Sequence, residues 1–288
     1  MGQEHSKYSD LIRQIESGSL PLSFSKIREF ATSPRSFIRY CLREKSSTKS
    51  TRFGSMWHCL VLEPMAFEKN YAIAPDCALN TNVGKEKYFE FLTETLEAQG
   101  VKSLGDMGIL PGDYNKYGIV QSVIESNGIE IVRRGDYDRS LARSEAVRSD
   151  SRAKEILDSA FYMEKDFENM PLMGYLWRGK IDVVCDNNDT VDFKTVTNAN
   201  PRKMKWTIRE ENYDMQQLIY GAFVPNGNRY IIAVDGDLEV SVNALSRETM
   251  AHAEQELERI LAAFEYCKLL NKWNESYGFW SDNGEFSV

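Results

Sequence analysis

The chain has 288 residues, 42% hydrophobic and 27% charged, with a formal net charge of −8. This is ordinary globular composition, which excludes a wholly disordered or fibrous chain. No run approaches the ~18 apolar residues of a membrane-spanning helix. Five dispersed cysteines (Cys41, Cys59, Cys77, Cys185, Cys267) without a CxxC pair argue against a disulfide framework, a zinc ribbon or an iron–sulfur cluster. They point to a reducing cytoplasm.

The opening MGQEHSKYSD lacks the apolar stretch of a secretory signal, and its myristoylation-like spacing stands without support. The first 65 residues read as helical. Ser23 is a capping residue for a helix to about Ala31, and Ser33-Pro34 is a second start signal. Phe53 to Leu62 forms a third apolar helix, carrying Gly54 and His58 four residues apart, and Asn70 to Pro75 reads as a short strand. Gly84–Val101 and Asp113–Ser126 are predicted as amphipathic helices around a glycine-bearing loop at 100–112. A charged helical region covers Asp136 to Ser159. From Phe161 the period becomes two, with strands over Phe161–Phe167, Met173–Cys185 and Thr190–Val196. Helices resume at Pro201 and over Asn212–Phe223. Arg229–Val234 and Leu238–Ala244 form a hairpin around Asp235-Gly236-Asp237, and Ser246 opens a last helix to about Leu270. The expectation is an α+β fold: one domain over 1–288, with a mostly helical part at 1–159, a mainly antiparallel sheet core at 160–245, and a final helix and tail at 246–288.

Charge is unevenly spread. Ser23 to Arg52 holds eight Lys/Arg (Lys26, Arg28, Arg35, Arg39, Arg43, Lys45, Lys49, Arg52) against Glu29 and Glu44. Pro201 to Arg209 holds Arg202, Lys203, Lys205 and Arg209 with no acid, while acids gather over Asp235–Glu265. An acidic protein with two basic segments can grip a polyanion locally; solvated helix faces are the alternative. Trp206 and Arg209 are open to a DNA contact, with a buried tryptophan the alternative.

The chemistry concentrates in the hairpin 173–196. With Asn187 to Asp189 as its loop, Asp182 sits opposite Lys194 and Val184 opposite Asp192. The two carboxylates then lie about 7–8 Å apart on the diagonal, where they can share a divalent cation beside an ammonium. Phosphodiester hydrolysis needs a metal-polarised phosphoryl oxygen, an acidified water and a cation facing the charge that develops. Glu164, on the preceding strand, can add a carboxylate. A cross-strand Asp–Lys salt bridge is the alternative reading.

Asp182, nine intervening residues and Asp192-Phe193-Lys194 resemble the core motif of PD-(D/E)XK nucleases, with Ile181 in place of the family's proline. Gly54-x-x-x-His58 resembles the G-x-x-x-H helix of the RecB-like branch. Gln216-x-x-x-Tyr220 resembles that branch's Q-x-x-x-Y helix. Leu22 to Ser25, Ser33 to Phe37, Gly54 to Pro64, Phe67 to Tyr71 and the aromatic tail Trp273 to Trp280 are similar to the exonuclease VIII (RecE) group and its phage relatives. The resemblance covers most of residues 20–280 and is weakest between 76 and 150.

The resemblance implies a restriction-endonuclease-like core with a central mixed sheet flanked by helices. It implies a 5′→3′ exonuclease on linear double-stranded DNA, serving phage-type recombination with a single-strand annealing protein and working as a trimeric or tetrameric ring. His58, Asp182, Asp192 and the Phe193 carbonyl would bind Mg²⁺ or Mn²⁺, two ions per site, with Glu164 contributing. Lys194 would orient or activate water, with Gln216 and Tyr220 in the site. Lys26, Arg28, Arg35, Arg202 and Lys205 are the DNA-contact candidates. An endonuclease of the same fold, or a non-catalytic nuclease-fold module, is the alternative.

Overall fold

The computed structural model describes residues 2–43, 49–98, 100, 104–110 and 112–281. Glu44 and Lys45 of the basic segment, positions 101–103 and 111 of the glycine-bearing loop, and the tail beyond Ser281 lie outside the described residues.

In chain order the helices begin with α1 (Gly2–Glu16), α2 (Phe24–Thr32), α3 (Pro34–Leu42), α4 (Lys49–Leu62) and the single turn α5 (Phe67–Asn70). Then come β1 (Tyr71–Ala74), α6 (Asn82–Ala98), α7 (Tyr117–Ser126), β2 (Glu130–Arg133), α8 (Arg134–Ser149) and α9 (Ser151–Asp158). The sheet region holds β3 (Ala160–Leu172), β4 (Tyr175–Cys185) and β5 (Thr190–Thr195). It continues through α10 (Pro201–Glu210), α11 (Tyr213–Phe223), β6 (Arg229–Val234) and β7 (Val240–Ala244) to α12 (Arg247–Leu269).

The local chemistry of the starts is the one the sequence announces. Ser23 accepts from the Lys26 amide, Ser33 from the Ser36 amide with Pro34 at the first helical position, and Ser246 from the Thr249 amide. Each satisfies an amide that has no partner within its helix. The charged helical region at 136–159 is broken in two, because the Asp150 carboxylate caps α9 through the Arg152 and Ala153 amides.

The chain divides into two compact units, Met1–Ser47 with Ser149–Val288, and Thr48–Arg148. The division falls at 47/48 and 148/149. α9 belongs with the sheet, because the Asp186 amide donates to the Ser159 carbonyl and the Cys185 thiol approaches the Ile156 carbonyl.

The first unit is built on a mixed sheet in the order β3-β4-β5-β6-β7, antiparallel except for the parallel pair β5–β6. Every residue of β6 is buried, as expected of a strand at the parallel centre of a sheet covered on both faces. The larger core joins Trp177 and Ile181 of β4 to Met215 and Ile219 of α11, Leu257, Ile260 and Phe264 of α12, and Phe30 and Phe37 of α2 and α3. The aromatic tail belongs to this core: Trp273 is buried, with its ring 5.8 Å from Phe37 and 5.3 Å from Phe264. A smaller cluster sets Met204 and Ile208 of α10 against Ile231 and Ala233 of β6.

The second unit pairs β1 with β2 in parallel, Tyr71 beside Glu130. Tyr88, Phe89, Leu92 and Leu96 of α6 pack there with Val120 and Ile124 of α7. β2 is an element the sequence pattern misses; four residues after a glycine turn carry too little alternation to register. The last carbonyls of α4 are satisfied by α8, through Ser144 Oγ to Leu60 at 3.1 Å and Arg148 Nη2 to Val61 at 2.5 Å.

Candidate active site

The hairpin β4–β5 turns one residue earlier than the sequence expectation. The Cys185 amide donates to the Asp189 carbonyl, so Asp186 to Asn188 form the loop, with Asn188 in the left-handed region at φ 66°. Asp189 is drawn into the strand end, where its carboxylate accepts from the Asn228 amide at 2.6 Å and the Asn187 side-chain amide at 3.0 Å. The register is therefore Val183↔Val191 and Val184↔Thr190. It corrects the expected pairing by two residues: Asp182 comes level with Asp192 instead of opposite Lys194. The shared face survives, since a two-residue slip keeps side-chain parity.

Beyond this short ladder β5 parts from β4 while its other edge stays paired to β6 throughout, from Thr190↔Arg229 to Thr195↔Val234. A side chain takes over where the backbone bonds end: Asp182 Oδ2 accepts the Phe193 amide at 2.7 Å. Asp192, 1% exposed, accepts from Gln216 Nε2 at 2.8 Å through Oδ1, and its Oδ2 lies 2.5 Å from Lys194 Nζ. Gln216 Nε2 also reaches the Tyr220 hydroxyl at 2.9 Å. The i,i+4 spacing on α11 thus brings the two side chains together, with Gln216 reaching Asp192 of β5.

Glu164 completes the first unit's contribution. It lies on β3 between the pairs Met163↔Val183 and Lys165↔Ile181, level with Asp182, and adopts φ 53°. A non-glycine residue in that region costs about 1–2 kcal/mol. Here the distortion accompanies a carboxylate whose oxygen lies within 4.8 Å of an Asp182 oxygen. Two oxygens at that separation are close to the span of one hard cation bound at roughly 2.0–2.6 Å from each. The oxygen donors of Glu164 and Asp182 therefore fit Mg²⁺ or a similar ion.

Electrostatics favour an ammonium at Lys194. Burial lowers its pKa, but the adjacent Asp192 and Asp182 carboxylates outweigh burial and the net direction is up. Burial pushes the Tyr220 hydroxyl well above its ordinary range, with the Asp192 charge acting in the same sense, so the phenol stays protonated.

Three neighbours escaped the sequence reading. Lys180 Nζ pairs with Glu164 Oε2 at 3.1 Å. Tyr213 places its ring centroid 4.9 Å from Lys194 Nζ. Gln217 Oε1 accepts the Thr190 hydroxyl at 2.7 Å. Two had a signal: Lys180 shares the polar parity of Asp182, and Tyr213 precedes Gln216 by one helical turn.

Among the DNA-contact candidates, Lys26 is corrected. It is buried, and its ammonium donates to the Pro21 carbonyl at 2.5 Å, so it offers no cation to a surface. Arg28 lies 3.7 Å from Glu211, and Arg35 donates to the Asn274 carbonyl at 2.9 and 2.6 Å. Arg202 and Lys205 are exposed on α10. His58 is carried by α4 of the second unit, half-buried, its ring edge-on to Trp57 at 5.3 Å.

Comparison with known proteins agrees with this geometry. The family described as a PDDEXK-like domain of unknown function (DUF3799) matches residues 23–278. A crystal structure titled "Putative exonuclease", from Eubacterium rectale, superposes with a TM-score of 0.56 at 12% identity, covering 88% of this chain and 83% of its own. No curated protein matches the chain. Among the described residues no helix is long and apolar enough to cross a membrane.

Proposed function

Because the chain belongs to the PDDEXK-like family matched over residues 23–278, we propose that it is a metal-dependent 5′→3′ exonuclease acting on linear double-stranded DNA. The observation that carries the reading is the cluster at the opened end of the β4–β5 ladder, where Asp182, Asp192, Lys194 and Gln216 meet. A D-x-K motif used only as a surface salt bridge needs neither a buried Asp192 nor a glutamine held on its second oxygen.

Glu164, Asp182, Asp192 and the Phe193 carbonyl would hold two divalent cations, Mg²⁺ or Mn²⁺, with His58 supplying an imidazole as the G-x-x-x-H resemblance implies. Bound there, such ions neutralise phosphate charge and acidify a water. Lys194 then orients that water and faces the negative charge that builds on the phosphoryl oxygens. Gln216 fixes the Asp192 carboxylate so that one oxygen remains turned to the site. Arg28, Arg35, Arg202 and Lys205 contribute cations along the DNA path.

The exonuclease VIII-like motifs support the polarity, and the description of the Eubacterium rectale neighbour supports attack from an end. By the same likeness the protein works in the cytoplasm as a trimeric or tetrameric ring. It hands its strand to a single-strand annealing protein in phage-type recombination. Digestion of 5′-labelled, 3′-labelled and covalently closed duplexes with Mg²⁺ tests the reading, alongside sedimentation for the ring. Linear DNA consumed from its 5′ ends, with circles intact, is the expected result. Cleavage of circles would replace it with an endonuclease, and no hydrolysis with either metal would leave a non-catalytic module.

A further inference from the structure

Helix α10 is two-faced. Met204 and Ile208 point inward onto Ile231 and Ala233. The register of the parallel pair sets Asp192 beside Ile231 and Lys194 beside Ala233. In-register neighbours in a sheet share a face, so α10 is seated on the face that carries the active acid and lysine. Tyr213 links the two, joining the α10 cluster while its ring lies under Lys194.

The outward face is unlike an ordinary solvated helix. Trp206 is 67% exposed, on a chain whose Trp57, Trp177 and Trp273 are fully buried. Arg202, Trp206 and Arg209 recur at helical spacing, and all three are exposed, as is Lys205. Lys205, Trp206 and Arg209 form one wall of a cavity of about 540 Å³. Asn243, Ser246 and Thr249 stand on the other wall, where Glu248 is the one acid.

An exposed indole costs solvation unless something covers it, and burying it inward was open to the sequence, since the same helix buries Met204. A flat π-surface flanked by cations is the chemistry of single-stranded nucleic acid: bases stack on the ring while Lys and Arg follow the backbone. A duplex keeps its bases stacked on one another and offers no free base face. An acidic peptide would match the charge but has no use for the indole.

We propose that α10 is a stacking platform for single-stranded DNA, with a base on Trp206 and the phosphates on Lys205, Arg209 and Arg202. Taken with the exonuclease reading, on which only the strand's identity rests, the occupant is the strand left undigested as its complement is removed.

The test is binding, not hydrolysis, so a failed nuclease reading leaves it intact. Full-length protein in chelator is titrated with short oligo(dT), a blunt duplex of the same length, and poly-glutamate. Oligo(dT) should quench tryptophan emission, and Trp206→Phe should abolish the quenching while keeping affinity within about threefold. Trp206→Ala should weaken oligo(dT) binding roughly five- to a hundred-fold. Lys205→Gln with Arg209→Gln should lower the salt slope by about 0.7 per cation removed. Unchanged oligo(dT) affinity in Trp206→Ala overturns the proposal. So does an equal loss on the duplex, which would make α10 a general backbone contact. Poly-glutamate binding as tight as oligo(dT) also overturns it, in favour of an acidic protein segment.

Discussion

Two hairpins of one sheet, β4–β5 and β6–β7, hold the same residue type in different surroundings, and the proposed function gives it structure in one place and chemistry in the other. β6–β7 pairs along its whole length, from Tyr230↔Ala244 to Val234↔Val240. β4–β5 holds only Val183↔Val191 and Val184↔Thr190 before its strands part. Both contain buried aspartate, Asp182 and Asp192 in β4–β5 and Asp235 in β6–β7. Asp235, beside the β6–β7 turn, accepts three backbone amides, from Ala199 at 2.9 Å, Asp237 at 3.0 Å and Glu239 at 3.1 Å. Asp192 instead has a glutamine amide and an ammonium, and Asp182 accepts the amide of Phe193 across the gap. A carboxylate ringed by turn amides is a fastener. Carboxylates facing one another where a ladder opens retain capacity for a ligand.

The largest effect should separate those two classes. Asp182→Asn and Asp192→Asn should each cut hydrolysis of linear duplex by at least about 10²–10³ and weaken Mg²⁺ binding by calorimetry. Lys194→Ala should lose a similar factor in rate while holding metal and DNA affinity, because its work lies in the transition state. His58→Ala should lower both rate and metal affinity. Asp235→Asn should leave the rate within a few-fold of wild type. Equal silencing by Asp235→Asn would dissolve the distinction between the hairpins.

That distinction was only partly legible beforehand. The β6–β7 hairpin, the serine-capped helices and the strands of the core follow from alternation and capping, which are local. The Asp182/Asp192/Lys194 set was visible as a motif, and its face was right because parity is a property of each strand. Its register was not, since it depends on Asn188 adopting a left-handed conformation and on Asp189 bonding Asn228 at 2.6 Å, thirty-nine positions away. The burial of Lys26 escaped for the same reason: a lysine on the exposed side of a short helix pattern reads as solvated until Pro21 and β4 are folded over it. The partnership of Lys180 with Glu164 needed the β3–β4 register, which the long strands and their bulges conceal.

The two buried ammoniums sharpen the comparison next. Lys194 sits between carboxylates, whereas burial pulls Lys26 down from 10.5 to about 8, with Arg178 of β4 adding to the fall and Cys41 of α3 opposing it. Cys41 is itself pushed up to about 11 by burial, and Lys7, Asp10 and Arg43 line a cavity with Lys26 and Cys41. Between pH 8 and 10.5 the unfolded chain keeps the Lys26 proton and the folded one releases it, so this group makes stability rise with pH across that window. Urea midpoints at pH 7.5 and 8.5 should show the rise, which the raised Cys41 thiol opposes above about pH 9. Lys26→Met should remove it and stabilise the protein at pH 7.5 by on the order of 2–3 kcal/mol. A pH trend unchanged in Lys26→Met would assign it to other groups.

Smaller again is the cost of removing the fastener. Asp235→Ala strips three amides of their acceptor; those of Asp237 and Glu239 lie in the turn and can take water, while the Ala199 amide is buried. The expected loss is about 1–3 kcal/mol, read as a lower urea midpoint with an unchanged slope. The entry to α10 passes through Ala199, so oligo(dT) affinity should fall in the same variant. Full affinity would show α10 held independently of the β6–β7 turn.

The smallest effect lies in the turns themselves. Both contain one residue in the left-handed region, Asn188 at φ 66° and Leu238 at φ 67°. Asparagine tolerates that conformation through its short polar side chain, but leucine, with its Cβ crowding the carbonyl, loses about 1–2 kcal/mol there. Leu238 is also 44% exposed, so its side chain recovers little by burial. Leu238→Asn should therefore stabilise the protein by about 1 kcal/mol, which for a chain of this size raises Tm by about 2–4 °C. Asn188→Gly should move it by only a few tenths of a kcal/mol. Asn188→Val should destabilise and also slow hydrolysis, because this turn sets the register that levels Asp182 with Asp192. The equivalent Leu238→Val change should touch stability alone. Equal effects of the two valines on rate would mean that the active strands hold their register without the turn.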